Sequence, residues 1–443
     1  MTAMLLRRAA AALSLLVAVA ITSTAGAVEV QRVTAGGVEA WLVEDHSNPI
    51  ISVDIAFRGG AALDPEGKAG LARMAAALLD EGAGEFDSQA FQRRLEDLAI
   101  QLRFDAGLDT VGGGMRTLTE NRDAAFDLLR LALTQPRFDA EPVARIRGQL
   151  AAALRQSAED PDSVADKRLF ATLFPGHPYG RPVEGTPESL ESITAADLHD
   201  FAAHRLARDN LVVGVVGDVT PEQLARLLES TFGALPATSA PATVADVRPA
   251  TDGETIVVEK PSRQSAIAFA QRGLKRDDPD FYAATVLNHI LGGGSFTSRL
   301  YDQVREKRGL AYSVNTALVP LDHAGLIVGG AGTANERAAE TLAVIRDQWR
   351  QVARDGVTAD ELADTKTYLT GSFPLRFTSS GRIARILVAM QLDDLGIDYL
   401  DRRNGLIEAV TLDDVNRLAR TLLDPEALTF VVAGQPDGIA AKE

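Results

Sequence analysis

The side chains able to grip a metal are few in this 443-residue chain: six histidines and no cysteine. Without cysteine there can be no disulfide, thiolate zinc site, iron–sulfur cluster or cysteine nucleophile. The histidines stand at 46, 177, 199, 204, 289 and 323. His199 and His204 are the closest pair, but their i, i+5 spacing puts them on different helix faces, whereas two zinc ligands need one face. His177 sits in the turn sequence Gly-His-Pro-Tyr-Gly. All three read as structural. Gly292-Gly293-Gly294-Ser295 could suggest a phosphate cradle, yet it lacks the Lys-Ser/Thr that a P-loop supplies. It reads as a helix stop and flexible joint.

The elements that would carry any site follow from composition and patterning. Hydrophobic residues make up 46% and charged residues 24%, as in globular proteins, and the length suits two or three domains. A formal net charge of −16 argues against a nucleic-acid partner, which needs a basic footprint. Residues 1–27 combine Arg7 and Arg8, an apolar run and Ala25-Gly26-Ala27, the pattern of a secretory signal peptide cleaved after Ala27. The mature chain is then expected beyond the inner membrane, in the periplasm, with no membrane span.

Residues 236–254, rich in Pro, Ala and Thr, read as an extended linker between 28–235 and 255–443. The two halves echo each other. ISVDIAFRGGA, then Asp64-Pro65, then an apolar helix through Ala75–Leu79 is matched by QSAIAFAQRG, Asp278-Pro279 and an apolar helix through Val286–Leu291. LVVGVVGDVT and LTFVVAGQPD close the halves alike. Patterning predicts strands at 38–43, 51–57, 101–106, 110–118, 211–217, 255–259, 265–271, 311–318, 324–331 and 428–433. It predicts helices at 66–82, 88–100, 122–134, 139–158, 195–206, 221–231, 279–291, 297–307, 334–354, 359–371, 381–393 and 412–423. The fold class is α+β, one plan used twice, each half a mixed, mainly antiparallel sheet packed with helices.

FRGGAALDPEGKAGLARMAAALLDEGAG (57–84) resembles the start of the pitrilysin/insulinase family of zinc peptidases. EPVARIRGQLAAALRQSAEDPDSVADKRLF (141–170), LFPGHPYGRPVEGTPESLESITAADLHDF (173–201), NLVVGVVGDVT (210–220) and LGGGSFTSRLYDQVREKRGLAYSV (291–314) continue the match in family order. The resemblance implies two similar α+β halves. It also implies a zinc site, H-x-x-E-H, on the first long helix, where histidines at i and i+4 share a face and the glutamate serves as base. In this chain the five motif positions hold Arg73, Met74, Ala75, Ala76 and Ala77, and the third-ligand region reads Gln-Leu-Ala-Ala-Ala-Leu around Ala153. Arg73, Ala76, Ala77 and Ala153 therefore mark a degenerate zinc motif. A guanidinium has no acceptor and repels a cation, so this chain is expected to bind no metal.

Further along, VREKRGLAYSV places Arg305 and Tyr312 where the family holds an arginine and a tyrosine opposite the zinc. By resemblance they hold the scissile peptide and stabilise its oxyanion; Arg308 is the rival for the arginine role. Together these features imply a non-catalytic subunit of a two-chain peptidase. Its partner would be a zinc-bearing homologous peptidase subunit, and its substrate an unfolded peptide. The alternative is a peptide-binding or scaffolding pseudoenzyme with no part in hydrolysis. An organellar processing or respiratory subunit fits the secretory leader poorly.

Overall fold

A computed structural model describes residues 29–240 and 243–439; the leader and its cleavage site lie outside them. Strand alternation sets the architecture. In β3 (Ile50–Arg58), Ile51, Val53, Ile55 and Phe57 enter a core, while Ser52, Asp54, Ala56 and Arg58 lie on the opposite face. This strand joins β1 (Gln31–Ala35), β2 (Val38–Glu44), β4 (Gln101–Ala106), β5 (Thr110–Leu118) and β6 (Leu211–Gly217) in a sheet of order β1-β2-β6-β3-β5-β4. A second sheet runs β7-β11-β8-β10-β9, from β7 (Thr255–Glu259), β8 (Gln264–Arg272), β9 (Ala311–Leu321), β10 (Ala324–Ala334) and β11 (Thr429–Gly434). β2 pairs parallel with β6, and β7 with β11; the other pairings are antiparallel. Apart from β1, which the sequence reading omits, the two orders match strand for strand. The repeat in sequence is thus a repeat of topology.

Helices pack against both sheets. In the first half these are α1 (Leu71–Ala76), α2 (Ser88–Asp97), α3 (Arg122–Thr134) and α4 (Ala140–Glu159), followed by α5 (Pro161–Leu173), α6 (Pro187–Ser192), α7 (Ala195–Arg205) and α8 (Pro221–Phe232). In the second they are α9 (Phe281–Asn288), α10 (Ala338–Asp355), α11 (Ala359–Gly371), α12 (Ser380–Leu392), α13 (Tyr399–Glu408) and α14 (Leu412–Leu422). Three of these, α5, α6 and α13, have no counterpart among the predicted helices.

Two helices cross between the halves. α5 leaves its own half and lays Ala165, Leu169 and Leu173 on the outer face of the second sheet, against Ala266, Ala268, Ala270, Val431 and Ala433. In return α12 lays Ala384, Leu387 and Met390 on the outer face of the first sheet, against Trp41, Val43 and Val216. Small residues make the approach close: a Cβ on Gly214 would stand 2.4 Å from the Ala384 carbonyl oxygen. At the far end of α12, Arg58 donates to the carbonyls of Leu392 (2.7 Å) and Gln391 (2.9 Å), satisfying orphan acceptors at the negative end of the helix. The equivalent hairpin turns also meet. Asp109 of the first accepts from the Tyr179 hydroxyl (2.5 Å) and from the Asp322 N–H of the second (3.1 Å).

Gly214→Ala is expected to lower the thermal unfolding midpoint by an amount equivalent to about 1–3 kcal/mol, because the helix backbone leaves no room for a methyl group. An unchanged midpoint by calorimetry would contradict this packing. Asp54 lies under the docked α12, and burial pushes its carboxyl up to about 7, against the pull of Arg385 and Arg103. Its folded pKa exceeds the unfolded value of 3.8. Its contribution to stability is therefore complete below that value and lost as pH rises through about 7. Asp54→Asn should thus melt higher than the parent at pH 8, with the gap opening between about pH 4 and pH 7 and constant above. Melting curves across that range measure it.

Candidate functional site

The segment expected to carry the metal motif is built around a buried carboxylate. Asp64 is 3% exposed and accepts from the N–H groups of Gly70 and Ala72, both at 3.1 Å, so it caps the start of α1 from six residues upstream. Gly70 is at φ +92°, and a Cβ there would crowd the Glu184 carbonyl and Gly185 at 3.0 Å. Arg205 reaches the carbonyls of Leu63, Gly59 and Gly60 and fixes the loop that presents Asp64. Burial raises Asp64 to about 6, with Arg205 and the two N–H donors opposing.

From this cap α1 runs only to Ala76, shorter than the helix predicted over 66–82. The N–H groups of Leu78 and Leu79 bond three residues back, to Ala75 and Ala76, which tightens the chain into turns. Arg73 is half-buried, and its guanidinium has no hydrogen-bond or ion-pair partner among the described residues. Ala76 is fully buried beside Met74 and Ala75, Ala77 lies just past the helix, and Ala153 is exposed on α4. These side chains do not fit a metal: one guanidinium without a lone pair and three methyl groups give no donor. Among the described residues no group of three His, Asp or Glu side chains is placed to hold an ion. His204 bonds Asp200, His199 packs edge-on to Phe138, and His177 accepts from the Tyr179 N–H and contacts the Ala245 carbonyl.

The second half gathers its predicted residues. After α9 the chain widens into a π-helix over His289–Gly293, passes a short 3-10 turn at Ser295–Thr297, and forms a second π-helix over Tyr301–Glu306. π-helical turns are rare and recur at functional sites. The buried Ser298 hydroxyl bonds the Ser295 carbonyl at 2.9 Å and receives the Tyr301 N–H at 3.4 Å, starting the second segment. Arg299 clamps it to α11 through a bidentate pair with Glu361 at 2.6 and 2.7 Å. Gly309, at φ +59°, ends it: its N–H bonds the Arg305 carbonyl and the Leu310 N–H bonds that of Val304.

β9 then returns along the edge of the second sheet. Its path brings Tyr312 over Arg305, whose guanidinium carbon lies 4.7 Å from the Tyr312 ring centre and 4.8 Å from that of Tyr301. The cation lies over both aromatic rings. Tyr312 is 81% exposed, so its hydroxyl stands in solvent beside a charge held in one place. Arg308 is turned away and bonds the carbonyl and side chain of Gln303 at 2.8 and 2.7 Å. The geometry therefore joins Arg305, not Arg308, to Tyr312.

Sequence reasoning missed Tyr301, although its i, i+4 spacing from Arg305 puts both on one helix face. It missed Phe296, which is 73% exposed and edge-on to Tyr301 at 5.0 Å. Nor did it find the stack of His289 on Tyr368, at 5.0 Å and 28°; burial lowers the His289 pKa and favours its neutral ring. The glycine run has a steric cause beyond stopping a helix. A Cβ on Gly292 would meet the Thr316 hydroxyl at 2.5 Å, and one on Gly293 the Asn288 amide at 2.6 Å.

Comparison with known proteins adds kinship to this geometry. The family described as "Peptidase M16 inactive domain" matches residues 192–369. The chain is 28% identical over 422 residues to the non-peptidase homologue YmxG of Helicobacter pylori, covering 95% of this chain and 97% of that protein. It is 30% identical over 365 residues to an uncharacterised zinc protease of Streptomyces coelicolor, covering 77% and 78% respectively. The crystal structure of a peptidase M16 inactive domain from Pseudomonas fluorescens superposes with a TM-score of 0.87 at 30% identity, over 94% of this chain and 99% of that one. Purified alone and dialysed after exposure to excess zinc, the chain is expected to retain less than about one-tenth of a zinc per molecule. One tightly held equivalent by elemental analysis would overturn the reading of α1.

Proposed function

The chain belongs to the M16, or pitrilysin/insulinase, family of zinc peptidases as a non-catalytic member, and from that premise we propose that it is one subunit of a heterodimeric peptidase. Its partner would be a homologous subunit with an intact H-x-x-E-H motif, and that partner's zinc would supply the activated water. The observation that carries the reading is the Arg305–Tyr312 pair, held together with Tyr312 exposed, in a chain whose own metal positions are erased.

Each residue has a task its geometry suits. Arg305 is held over two aromatic rings and loses little rotamer freedom on binding, so it can donate to a peptide carbonyl at low entropic cost. The Tyr312 hydroxyl, on an edge strand, can donate to the same oxygen as negative charge develops there. The leader pattern supports export across the inner membrane, with the pair at work in the periplasm on unfolded peptides. Among the described residues no helix is long and apolar enough to cross a membrane. The exposed Phe296 and Tyr368 favour a second reading, in which the chain captures peptides without taking part in their hydrolysis.

Co-expression with a zinc-bearing homologue and assay of peptide cleavage separates the two. Arg305→Ala is expected to lower kcat/KM of the pair about 100-fold, and Tyr312→Phe by a smaller factor, while the subunits still co-purify. If both variants leave cleavage intact, the shared-site reading fails.

A further inference from the structure

The outer face of the first sheet is only half covered. α12 packs over β2, β6 and the near part of β3, leaving an open cleft of about 880 Å³ between β3, β5, β4 and the start of α12. Cross-strand register defines what faces it. Ser52 of β3 stands opposite Arg116 of β5, which stands opposite Gln101 of β4; Asp54 stands opposite Gly114, and Gly114 opposite Arg103. Paired residues share a face, so Ser52, Arg116 and Arg103 line the same surface. Gly114 keeps it open: a Cβ there would lie 3.6 Å from both Arg103 Nη2 and Asp54 Oδ1. Across the cleft, the first turns of α12 bring Arg382 and Arg385.

This is a basic cleft in an acidic protein. Arg103, Arg116, Arg382 and Arg385 are exposed, and none has an ion-pair partner within 4 Å among the described residues. Asp54 and Glu96 line the cleft with them, and Asp105 of β4 lies near enough to act on Asp54. The N-terminus of α12 opens here too. Its N-cap, Ser379, makes no side-chain cap bond, and although the Arg382 N–H bonds the Ser379 carbonyl at 3.0 Å, the Ser380 and Gly381 amides have no hydrogen-bond partner among the described residues.

The related crossing helix α5 differs: Asp160 caps it by accepting from the Ser163 N–H at 3.1 Å, and Pro161 occupies its first turn. An independent sign of a missing acceptor comes from the floor of the cleft. Ser52 is 2% exposed and its hydroxyl has no hydrogen-bond partner among the described residues. A buried hydroxyl without a partner costs about 1–3 kcal/mol; Ser52 lies on the cleft floor with its Oγ closed to solvent, and a turn about its Cα–Cβ bond would present it to a ligand oxygen.

We propose that this cleft is an oxyanion-binding site, taking a phosphate or carboxylate between Arg103, Arg116, Arg382 and Arg385, the Ser52 hydroxyl and the first amides of α12. It lies on the face of the first sheet opposite α1, and it stands or falls separately from the Arg305–Tyr312 reading. The test titrates the full mature chain with inorganic phosphate in one arm and a glutamate-rich peptide in the other, by calorimetry at low salt. Saturable binding of either probe is expected, weakened about tenfold in Arg116→Gln/Arg382→Gln and a few-fold in Ser52→Ala. Ser52→Ala should melt no lower than the parent, since it removes an unpaired hydroxyl, and this separates lost binding from lost folding. Phosphate alone, or the peptide alone, identifies which oxyanion the cleft takes. Binding of neither probe, or binding that the variants leave unchanged, overturns the site.

Discussion

The second sheet is apolar on both faces and the first is apolar on its outer face over β2 and β6, yet each half supplies its own sheet with helices for only one face. β11 is buried along its whole length, with Val431 and Ala433 on one side and Phe430 and Val432 on the other. Such a strand must be covered twice. The cover for the second face comes from the other half of the chain, α5 over the second sheet and α12 over the first. The exchange is reciprocal, and on the second sheet it works because the receiving face is built mostly from small residues, while on the first Gly214 opens the approach. Ala266, Ala268 and Ala270 alternate with Ile267 and Phe269 along β8, so one side admits a helix closely while the other fills a core. Neither half can leave without exposing a hydrophobic face of the other, so chain division and packing division do not coincide.

That constraint also sets where chemistry can sit. With the outer faces occupied, what remains accessible lies at edges, helix ends and the uncovered part of the first sheet. Arg305 and Tyr312 lie where a π-helix hands over to an edge strand, and the first sheet's basic cleft lies where α12 stops short. The erased metal motif occupies the opposite situation. Met74, Ala75 and Ala76 are fully buried, and α1 is an anchored packing element tied by Asp64 and Arg205. The base position, Ala76, has become core, while the ligand positions Arg73, Ala77 and Ala153 lie half-buried or exposed without a donor atom for a metal.

Much of this was legible in the residues. Strands 101–106, 110–118, 211–217 and 255–259 fall where alternation places them, since a strand with distinct faces writes its period into the sequence. α5 was not legible. PDSVADKRLFATL has weak periodicity because its buried side, Ala165, Leu169 and Leu173, meets a sheet of alanines distant in sequence. The first π-helix was not legible for a related reason: Gly292 packs against Thr316, 24 residues further along the chain, a contact that local pattern does not encode.

By itself the sequence determined the repeated α+β plan, the loss of every metal-binding side chain at the motif positions, and the pairing of an arginine with a tyrosine seven residues on. Those are statements about residue type and spacing, and side-chain chemistry fixes them before any folding. The tertiary structure decided which arginine meets Tyr312, because Gly309 ends the helix so that Arg305 lies under the strand while Arg308 turns to Gln303. It also decided that two helices trade places and that four arginines from β4, β5 and α12 converge. Those residues lie up to hundreds of positions apart, and only the packing of one half onto the other brings them together.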